Sequence, residues 1–288
     1  MTLKFMITGA SGQLGARVID ALLQGHAPDT IGALVRRADA VAPLQARGVT
    51  VLIASYDDLP ALTAAFAGVD RVLLISSSEV GARVQQHANV IAAAKAAGAG
   101  FIAYTSLLGA DRSPLGILPP EHVATEQALA ASGLHHVILR NGWYTENYAM
   151  SAAGALQHGA LIGAAGQGLI SSAARADYAD AAAAVLAGEL PPSGTVYELA
   201  GDDAYTLDAL AAHLSAHAGK PVPYINMSEA DYAAALIGAG LPEGLARVLA
   251  DSDRGASEGG LFSADRTLSR LIGRPTTPWR DTITAQLG

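Results

Sequence analysis

Three glycines, spaced three residues apart, follow the first apolar run of the chain. The segment reads Thr8-Gly9-Ala10-Ser11-Gly12-Gln13-Leu14-Gly15, between a strand-like run over Leu3–Thr8 and a helical run over Leu14–Leu23. Glycines at such a turn permit a tight reversal, close approach of backbone amides to a pyrophosphate, and close packing of helix on strand. The start of the helix also directs N–H groups at a bound anion. We therefore predict that this turn binds a dinucleotide through Gly9, Ser11, Gly12, Gln13, Leu14 and Gly15.

Strand-like runs alternate with helical runs through the first half of the chain. The strand pattern recurs at Ile31–Val35, Thr50–Ala54, Arg71–Ser76, Phe101–Ser106 and His136–Arg140. Helical composition lies between them, at Ala38–Ala46, Asp58–Phe66, Val80–Ala97 and Glu121–Ala131. Such alternation is typical of βαβ units with helices on both faces of a parallel sheet. The sequence thus predicts the α/β class, with a Rossmann-type doubly wound parallel sheet.

The end of the second predicted strand indicates which dinucleotide binds. NAD sites place an Asp or Glu there to hold the ribose 2′-OH. This chain instead has Arg36 and Arg37, and Asp39 comes further on. Because a guanidinium matches phosphate geometry bidentately, we predict that Arg36, helped by Arg37, binds the 2′-phosphate of NADPH. The alternative interpretation is a pair of solvated surface arginines.

The alternation ends after Arg140, which indicates a second part of the chain. Its predicted elements are a loop or short hairpin over Gly159–Gly168, a helix over Asp177–Leu186, a strand over Thr195–Leu199, and helices opened by Thr206 and by the capping box Ser228–Asp231. We predict an NADP-binding Rossmann domain over residues 1–150 and a smaller, mostly helical substrate-pocket lobe over 151–288. The segment near 170–190 is expected to pack back on the first domain.

Composition excludes several classes of function. The 288 residues carry a net charge of −8 without a basic cluster, so a nucleic-acid partner is not expected. No cysteine is present and no histidines have metal-ligand spacing, which argues against thiolate chemistry and a metal site. The stretch Asn147–Ala174 lacks charged side chains, but glycines interrupt it, so no membrane span is expected. A cysteine-free chain without a visible signal peptide suggests the cytoplasm; the oligomeric state stays open.

Several local strings carry a family resemblance. They are the glycine turn, Ile75–Gly81, Phe101–Ser106, Arg140–Asn147, Gly163–Gly166 and Asp251–Asp253. Through them the whole chain resembles the NmrA-like atypical short-chain dehydrogenases, most of all the type 2 NAD(P)H:quinone oxidoreductases, with triphenylmethane dye reductases nearby. The resemblance implies that segments after the fourth and sixth strands border the nicotinamide. The corresponding cofactor-binding candidates are Ser76, Ser77, Ser78, Thr105, Asn141, Trp143 and Tyr144, with Tyr56 and Asp57 flanking the adenine.

The usual catalytic relay of short-chain dehydrogenases, Tyr-x-x-x-Lys, is missing. The lysines are Lys4, Lys95 and Lys220, and none follows a tyrosine by four residues. His122–Glu126 stands in the expected place, and Ser106 matches the family's active-site serine. The catalytic candidates are therefore Ser106, His122 and Asn141, although His122 also fits a simple helix-start histidine. A quinone lessens the need for a relay, since hydride addition gives a phenolate whose conjugate acid has a pKa of about 10.

The acceptor is expected at the carboxyl ends of the strands, where open α/β sheets bind ligands. The predicted substrate-binding residues are Glu79, Trp143, Tyr144, Asn147 and Tyr148. The aromatic members are suited to stacking on a planar ring, and the alternative for Trp143 and Tyr148 is core packing. These patterns predict an NADPH-dependent oxidoreductase that passes hydride to a small quinone-like acceptor without flavin. A triarylmethane-dye-type reductase and an NmrA-type redox sensor without turnover remain alternatives, while sugar-nucleotide epimerisation is disfavoured because it relies on the missing tyrosine.

Overall fold

The structure is a computed structural model that describes residues 3–287, which contain nine strands and twelve α-helices. The strands are Phe5–Ile7 (β1), Ile31–Val35 (β2), Thr50–Ile53 (β3), Arg71–Leu74 (β4), Phe101–Leu107 (β5), His136–Asn141 (β6), Leu161–Gly163 (β7), Thr195–Leu199 (β8) and Tyr224–Asn226 (β9). The helices are Gln13–Leu23 (α1), Val41–Gln45 (α2), Leu59–Ala65 (α3), Arg83–Ala96 (α4), Pro119–Ser132 (α5), Thr145–His158 (α6), Arg175–Ala187 (α7), Leu207–Ala218 (α8), Glu229–Gly238 (α9), Glu243–Ser257 (α10), Thr267–Ile272 (α11) and Trp279–Leu287 (α12).

Seven strands form one sheet in the order β3-β2-β1-β4-β5-β6-β8. The pairs β1–β2, β2–β3, β1–β4 and β4–β5 are parallel. The winding reverses at β1, which lies between β2 and β4, and ligands of open α/β sheets bind at such a switch point. The predicted Rossmann-type, doubly wound fold is confirmed.

The central strands are buried along their length because helices cover the sheet. Every residue of β1, β2, β5 and β6 is buried. A sheet covered on both faces requires continuous apolar runs in place of alternation. The uninterrupted apolar strings in the sequence therefore predicted these strands to within two residues.

The described chain divides into two compact units. The first contains the residues up to Leu107 together with Glu121–Arg140 and Arg175–Tyr197. The second contains Leu108–Pro120, Asn141–Ala174 and the residues from Glu198 onward. This interleaving is finer than the predicted division at residue 150, in which only the segment near 170–190 packs back on the first domain. In the first unit α7 packs against α1; the buried residues of α1 are glycine and branched apolar residues, and alanine is the most frequent of those of α7.

The second unit has a small sheet that the sequence did not predict. Strand β7 pairs in parallel with β9, with Leu161 opposite Tyr224. The prediction of a loop or hairpin over Gly159–Gly168 was therefore wrong, because the partner strand lies far along the chain and is only three residues long. The predicted N-caps are confirmed: Thr206 accepts from the Ala209 amide at 3.2 Å and Ser228 accepts from the Asp231 amide at 3.1 Å. In the described range no helix is long and apolar enough to span a bilayer.

Candidate functional site

The glycine turn between β1 and α1 has a geometry that larger residues do not allow. Gly9 adopts φ +58°, in the left-handed region. A Cβ atom on Gly15 would lie 2.4 Å from the Gly9 carbonyl oxygen. A Cβ on Gly12 would lie 3.1 Å from the same oxygen, which is tight but without severe overlap. The backbone conformation and packing thus require glycine at positions 9 and 15. At position 12, glycine instead leaves space for a ligand to approach the turn.

Helix α1 begins with no side chain over its first amides. Its N-cap is Gly12, no side chain caps the helix, and no acidic residue lies in its first turn. The first amides of an α-helix have no partner within the helix, and its dipole favours an anion at that end. This start fits the pyrophosphate of a dinucleotide. Beside it, Ser11 and Gln13 are exposed, Leu14 is buried, and the Gln13 side chain accepts a hydrogen bond from Arg175.

Tyr56 ties the turn to the neighbouring strand. Its hydroxyl contacts the Thr8 hydroxyl and lies 2.9 Å from the Ile75 carbonyl oxygen. Burial raises its pKa, so it stays protonated. Asp57 accepts from the Ser55 hydroxyl at 3.0 Å. Because the Tyr56 hydroxyl is hydrogen-bonded to Thr8 and Ile75, only the aromatic ring is available for the predicted contact with adenine.

Arg36 follows β2, and its guanidinium forms an ion pair with Glu79 in the segment after β4. The two side chains are 61% and 42% exposed, so this pair can exchange partners readily. Gln86 donates to the second Glu79 carboxylate oxygen at 2.9 Å. Arg37 pairs with Asp39 at 3.0 Å. Glu79 was predicted to bind the acceptor, but in the structure its carboxylate pairs with Arg36, the residue predicted to bind the 2′-phosphate.

The segment after β4 is held by side chains of other elements. The Ser76 amide donates to the Thr105 hydroxyl on β5 at 2.9 Å. The Ser77 amide donates to His87 on α4, also at 2.9 Å. Ser78 is exposed. The structure thus brings together the predicted residues Ser76, Ser77 and Thr105, and it adds His87, which no local sequence pattern indicates.

Ser106 faces a buried ion pair. Its hydroxyl donates to Glu126 Oε1 at 2.6 Å. Arg140 Nε donates to the same oxygen at 2.9 Å, and its Nη2 donates to Glu126 Oε2 at 2.7 Å. The Arg140 and Glu126 side chains are 8% and 13% exposed. The proton of Ser106 is therefore committed to a carboxylate that is itself held bidentately.

His122 is buried and engaged within the first unit. Its Nδ1 lies 2.7 Å from the hydroxyl of Tyr104. Burial, with smaller contributions from the nearby Arg83 guanidinium and His87 ring, lowers the pKa of His122 to about 3. Burial likewise raises the pKa of Tyr104. At neutral pH both groups are uncharged, so His122 is not available as a protonated acid.

The remaining candidates lie in the second unit, after or at the end of β6. Asn141 is buried, and its Oδ1 has no hydrogen-bond partner in the part of the chain that is described. Trp143 is buried, and Tyr144 and Asn147 are half-buried at the start of α6. Tyr148 is a core residue whose hydroxyl donates to Asp253 at 2.8 Å. This burial does not fit the predicted stacking of Tyr148 on an acceptor, whereas the orphaned Asn141 oxygen fits a donor from a ligand.

Helix α10 carries two buried carboxylates from the string Asp251-Ser252-Asp253. Asp251 accepts from the amides of Gly116 and Ile117, each at 2.9 Å. Asp253 accepts from the Ala164 amide at 2.9 Å. Burial raises the pKa of Asp253 to about 6. The string was noticed for its family resemblance, but its function as an anchor for two loops needed the structure.

No group of three or more potential metal ligands occurs among residues 3–287.

The chain matches the family described as NAD(P)H-binding over residues 9–189, which includes the glycine turn. The protein belongs to this family. The first strand, the turn and the segments that follow the central strands all lie within or beside that match.

Relatives of known function agree with the resemblance drawn from the local strings. The chain is 58% identical over 277 residues to quinone oxidoreductase 2 of Escherichia coli, covering 96% of each protein. It superposes on the crystal structure of the Escherichia coli NADPH-dependent quinone oxidoreductase complexed with NADPH with a TM-score of 0.95 and 57% identity, covering 99% of this chain and 100% of that one. A second match is triphenylmethane reductase of Citrobacter sp. complexed with NADP(H), with a TM-score of 0.93, 34% identity, and 99% and 100% coverage. The predicted place near quinone oxidoreductases and dye reductases is confirmed.

Proposed function

We propose that this protein is an NADPH-dependent oxidoreductase that reduces a quinone or a similar planar conjugated acceptor without flavin. The observation that carries this proposal is the glycine turn with its uncapped helix start, in a chain 58% identical to a quinone oxidoreductase. NADPH supplies the hydride when it is bound. A small-molecule acceptor is the partner that this chemistry requires.

In the first unit, the proposed cofactor contacts have distinct tasks. The amides at the start of α1 bind the pyrophosphate, and Arg36 with Arg37 binds the 2′-phosphate. The segment Ser76–Ser78, held by Thr105, borders the nicotinamide. Asn141, Trp143, Tyr144 and Asn147 in the second unit stay predictions from the family resemblance.

Neither catalytic candidate of the first unit, Ser106 or His122, offers a free proton to the acceptor, and a quinone is the acceptor that tolerates this. The proton of Ser106 is held by Glu126, and His122 is neutral. A simple ketone would become an alkoxide and would require an acid. A quinone becomes a phenolate, whose conjugate acid has a pKa of about 10, so solvent can supply the proton.

The same observation favours a second candidate acceptor, a cationic triarylmethane dye. Hydride addition to such a carbocation gives a neutral product and needs no proton at all. The match to the Citrobacter triphenylmethane reductase supports this alternative. Both candidate reactions use the same cofactor site, and they differ only in the molecule that accepts the hydride.

Steady-state oxidation of NADPH separates these functions. The panel contains benzoquinones, naphthoquinones, cationic triarylmethane dyes and simple ketones. We expect turnover with quinones, slower or no turnover with dyes, and none with ketones. Faster reduction of dyes than of quinones would favour the second candidate. NADPH binding without turnover on any acceptor would contradict an enzymatic function and support the sensor of the NmrA type.

Arg36→Ala is expected to weaken NADPH binding and leave NADH binding nearly unchanged. A charged hydrogen bond contributes about 1.5–3 kcal/mol, so the loss should be roughly 10- to 150-fold. Calorimetric titration with both cofactors measures it. The control is Arg247→Ala, which removes an exposed arginine from an ion pair with Glu243 on α10. Equal affinity of the unmutated protein for NADPH and NADH would contradict the assignment of Arg36.

Ser106→Ala and His122→Ala are each expected to lower turnover with a quinone by less than about tenfold, below the 10²–10⁴-fold contribution of general acid catalysis. The Ser106 proton is already donated to Glu126, and His122 is uncharged at neutral pH. The measurement is kcat at saturating NADPH and quinone, in variants shown to be folded and to bind NADPH. A thousandfold loss in the His122 variant would instead establish an acid–base function.

A further inference from the structure

The backbone around Ser77 is bound on both sides by side chains. Its amide donates to His87 Nε2 at 2.9 Å, and its carbonyl oxygen accepts from Arg83 Nε at 2.7 Å. The preceding amide, that of Ser76, donates to Thr105. Three backbone groups within two residues are therefore satisfied from outside the segment. A loop without regular structure is fixed in this way, since its polar groups have no ladder to join.

The ring of His87 has one arrangement that satisfies all its partners. Because Nε2 accepts from Ser77, the ring proton must lie on Nδ1. Nδ1 then donates to the Thr125 hydroxyl at 2.9 Å, and that hydroxyl donates to the Glu121 carbonyl oxygen at 2.9 Å. The side chain of His87 is fully buried. The donor and the acceptor of each hydrogen bond in this series are thereby determined. The series runs from the segment after β4, through His87 on α4, to the residues of α5.

Neighbouring groups keep the ring neutral and in place. The Tyr104 and Tyr56 rings contact it edge-on, with centroids 5.3 Å and 6.3 Å away. Burial, together with the Arg83 guanidinium, lowers the pKa of His87 to about 3. Protonation of Nε2 would remove the acceptor of the Ser77 amide. At neutral pH the acceptor is present.

We propose that His87 is a positioning residue for the cofactor. By accepting the Ser77 amide, it fixes the Ser76–Ser78 segment in the conformation that receives the nicotinamide half of NADPH. His87 acts through this segment and through no contact of its own with the cofactor. The inference rests on the proposed function, because that function places the segment beside the nicotinamide.

Two substitutions separate the hydrogen bond between His87 and Ser77 from the hydrogen bond between His87 and Thr125. In His87→Gln the terminal amide reaches the position of Nε2, so its oxygen can still accept from Ser77. In His87→Asn the shorter amide reaches only the position of Nδ1, so the partnership with Thr125 can persist while Ser77 loses its acceptor. Both variants keep a polar side chain in the buried site, which limits differences in folding.

We expect the Asn variant to raise the exchange rate of the Ser77 amide and the Kd for NADPH, each by about threefold to tenfold, the value of one neutral hydrogen bond. The Gln variant should stay within about twofold of the unmutated protein in both measurements. The KM for NADPH should follow its Kd, while kcat at saturation changes less. Exchange is measured by NMR and affinity by calorimetry, in the full chain.

His135→Asn is the matched control. His135 is half-buried, and its Nε2 bonds the Pro191 carbonyl oxygen at 2.8 Å, just before β6 begins. It should leave Ser77 exchange and NADPH affinity unchanged. Should His87→Asn fail to fold, Thr125→Val removes the partner of Nδ1, together with the bond of that hydroxyl to the Glu121 carbonyl oxygen. Because His87 then loses the contact that fixes its ring, this variant should shift the same two measurements in the same direction.

Two results would overturn the inference. One is faster Ser77 exchange in His87→Asn with unchanged NADPH affinity and KM. The other is an equal loss of affinity in the Gln and Asn variants, which would assign the effect to ring volume. Failure of the proposed function can be distinguished from failure of this inference. A protein that binds NADPH but reduces no acceptor would refute the proposed turnover. The NADPH affinities of the His87 variants would still decide whether His87 positions the segment. An unmutated protein that does not bind NADPH would refute both.

Discussion

Gly12→Val is expected to abolish NADPH binding and leave the protein folded. The added Cβ would lie 3.1 Å from the Gly9 carbonyl oxygen, a tight contact that a shift of a few tenths of an ångström in the turn relieves. The branched side chain would then stand over the first amides of α1, where the pyrophosphate must approach. Loss of those hydrogen bonds to an anion, at about 1.5–3 kcal/mol each, should lower affinity by at least roughly 100-fold. Calorimetry measures the affinity, and thermal unfolding measures the fold.

Two other glycines provide matched controls for this variant. Gly25 has open space around its Cα, so Gly25→Val should bind NADPH normally. Gly15→Ala should act on the fold, since its Cβ would lie 2.4 Å from the Gly9 carbonyl oxygen. Undiminished NADPH binding by Gly12→Val would show that the turn is not the phosphate site.

Arg140→Ala is expected to destabilise the protein by about 3–5 kcal/mol, because it leaves the buried Glu126 carboxylate without its bidentate partner. Urea unfolding measures the change in the free energy of unfolding. The Arg247–Glu243 pair offers the contrast, since both of its side chains are 65% exposed. Arg247→Ala should therefore change stability by no more than about 0.5 kcal/mol.

Removing both charges tests the cause. In the double variant Arg140→Met with Glu126→Gln, no buried charge is left unpaired, and much of the lost stability should return. A loss below 1 kcal/mol in Arg140→Ala would contradict the description of this pair as buried and mutually dependent. Equal losses in the single and double variants would assign the effect to packing of the arginine stem.

The features predicted well from the sequence depend on residues that are close together along the chain. The glycine turn, its flanking strand and helix, and the N-caps at Thr206 and Ser228 each need fewer than about a dozen neighbouring residues to specify them. The position of Arg36 directly after β2 was recognised in the same way, while its binding of the 2′-phosphate stays a prediction. The apolar strings of β5 and β6 indicated burial on both faces, which only a covered parallel sheet provides.

The contacts that the sequence did not predict depend on residues that are far apart along the chain. Glu79 was assigned to the acceptor because of its local string, yet its partner Arg36 lies 43 residues earlier. Tyr148 was predicted to stack on a ligand, yet its hydroxyl meets Asp253, 105 residues later. No local pattern encodes such partners. Periodicity predicts which face of an element is buried, but it does not predict which polar group closes a hydrogen bond there.

The two carboxylates of α10 connect two loops of the second unit to the same helix. Asp251 secures the Gly116–Ile117 backbone and Asp253 secures the Ala164 backbone, from positions only two residues apart on one helix. Local unfolding proceeds in contiguous cooperative units. If α10 frays, both loops lose their anchor in the same event, so their amides should exchange with one common opening rate.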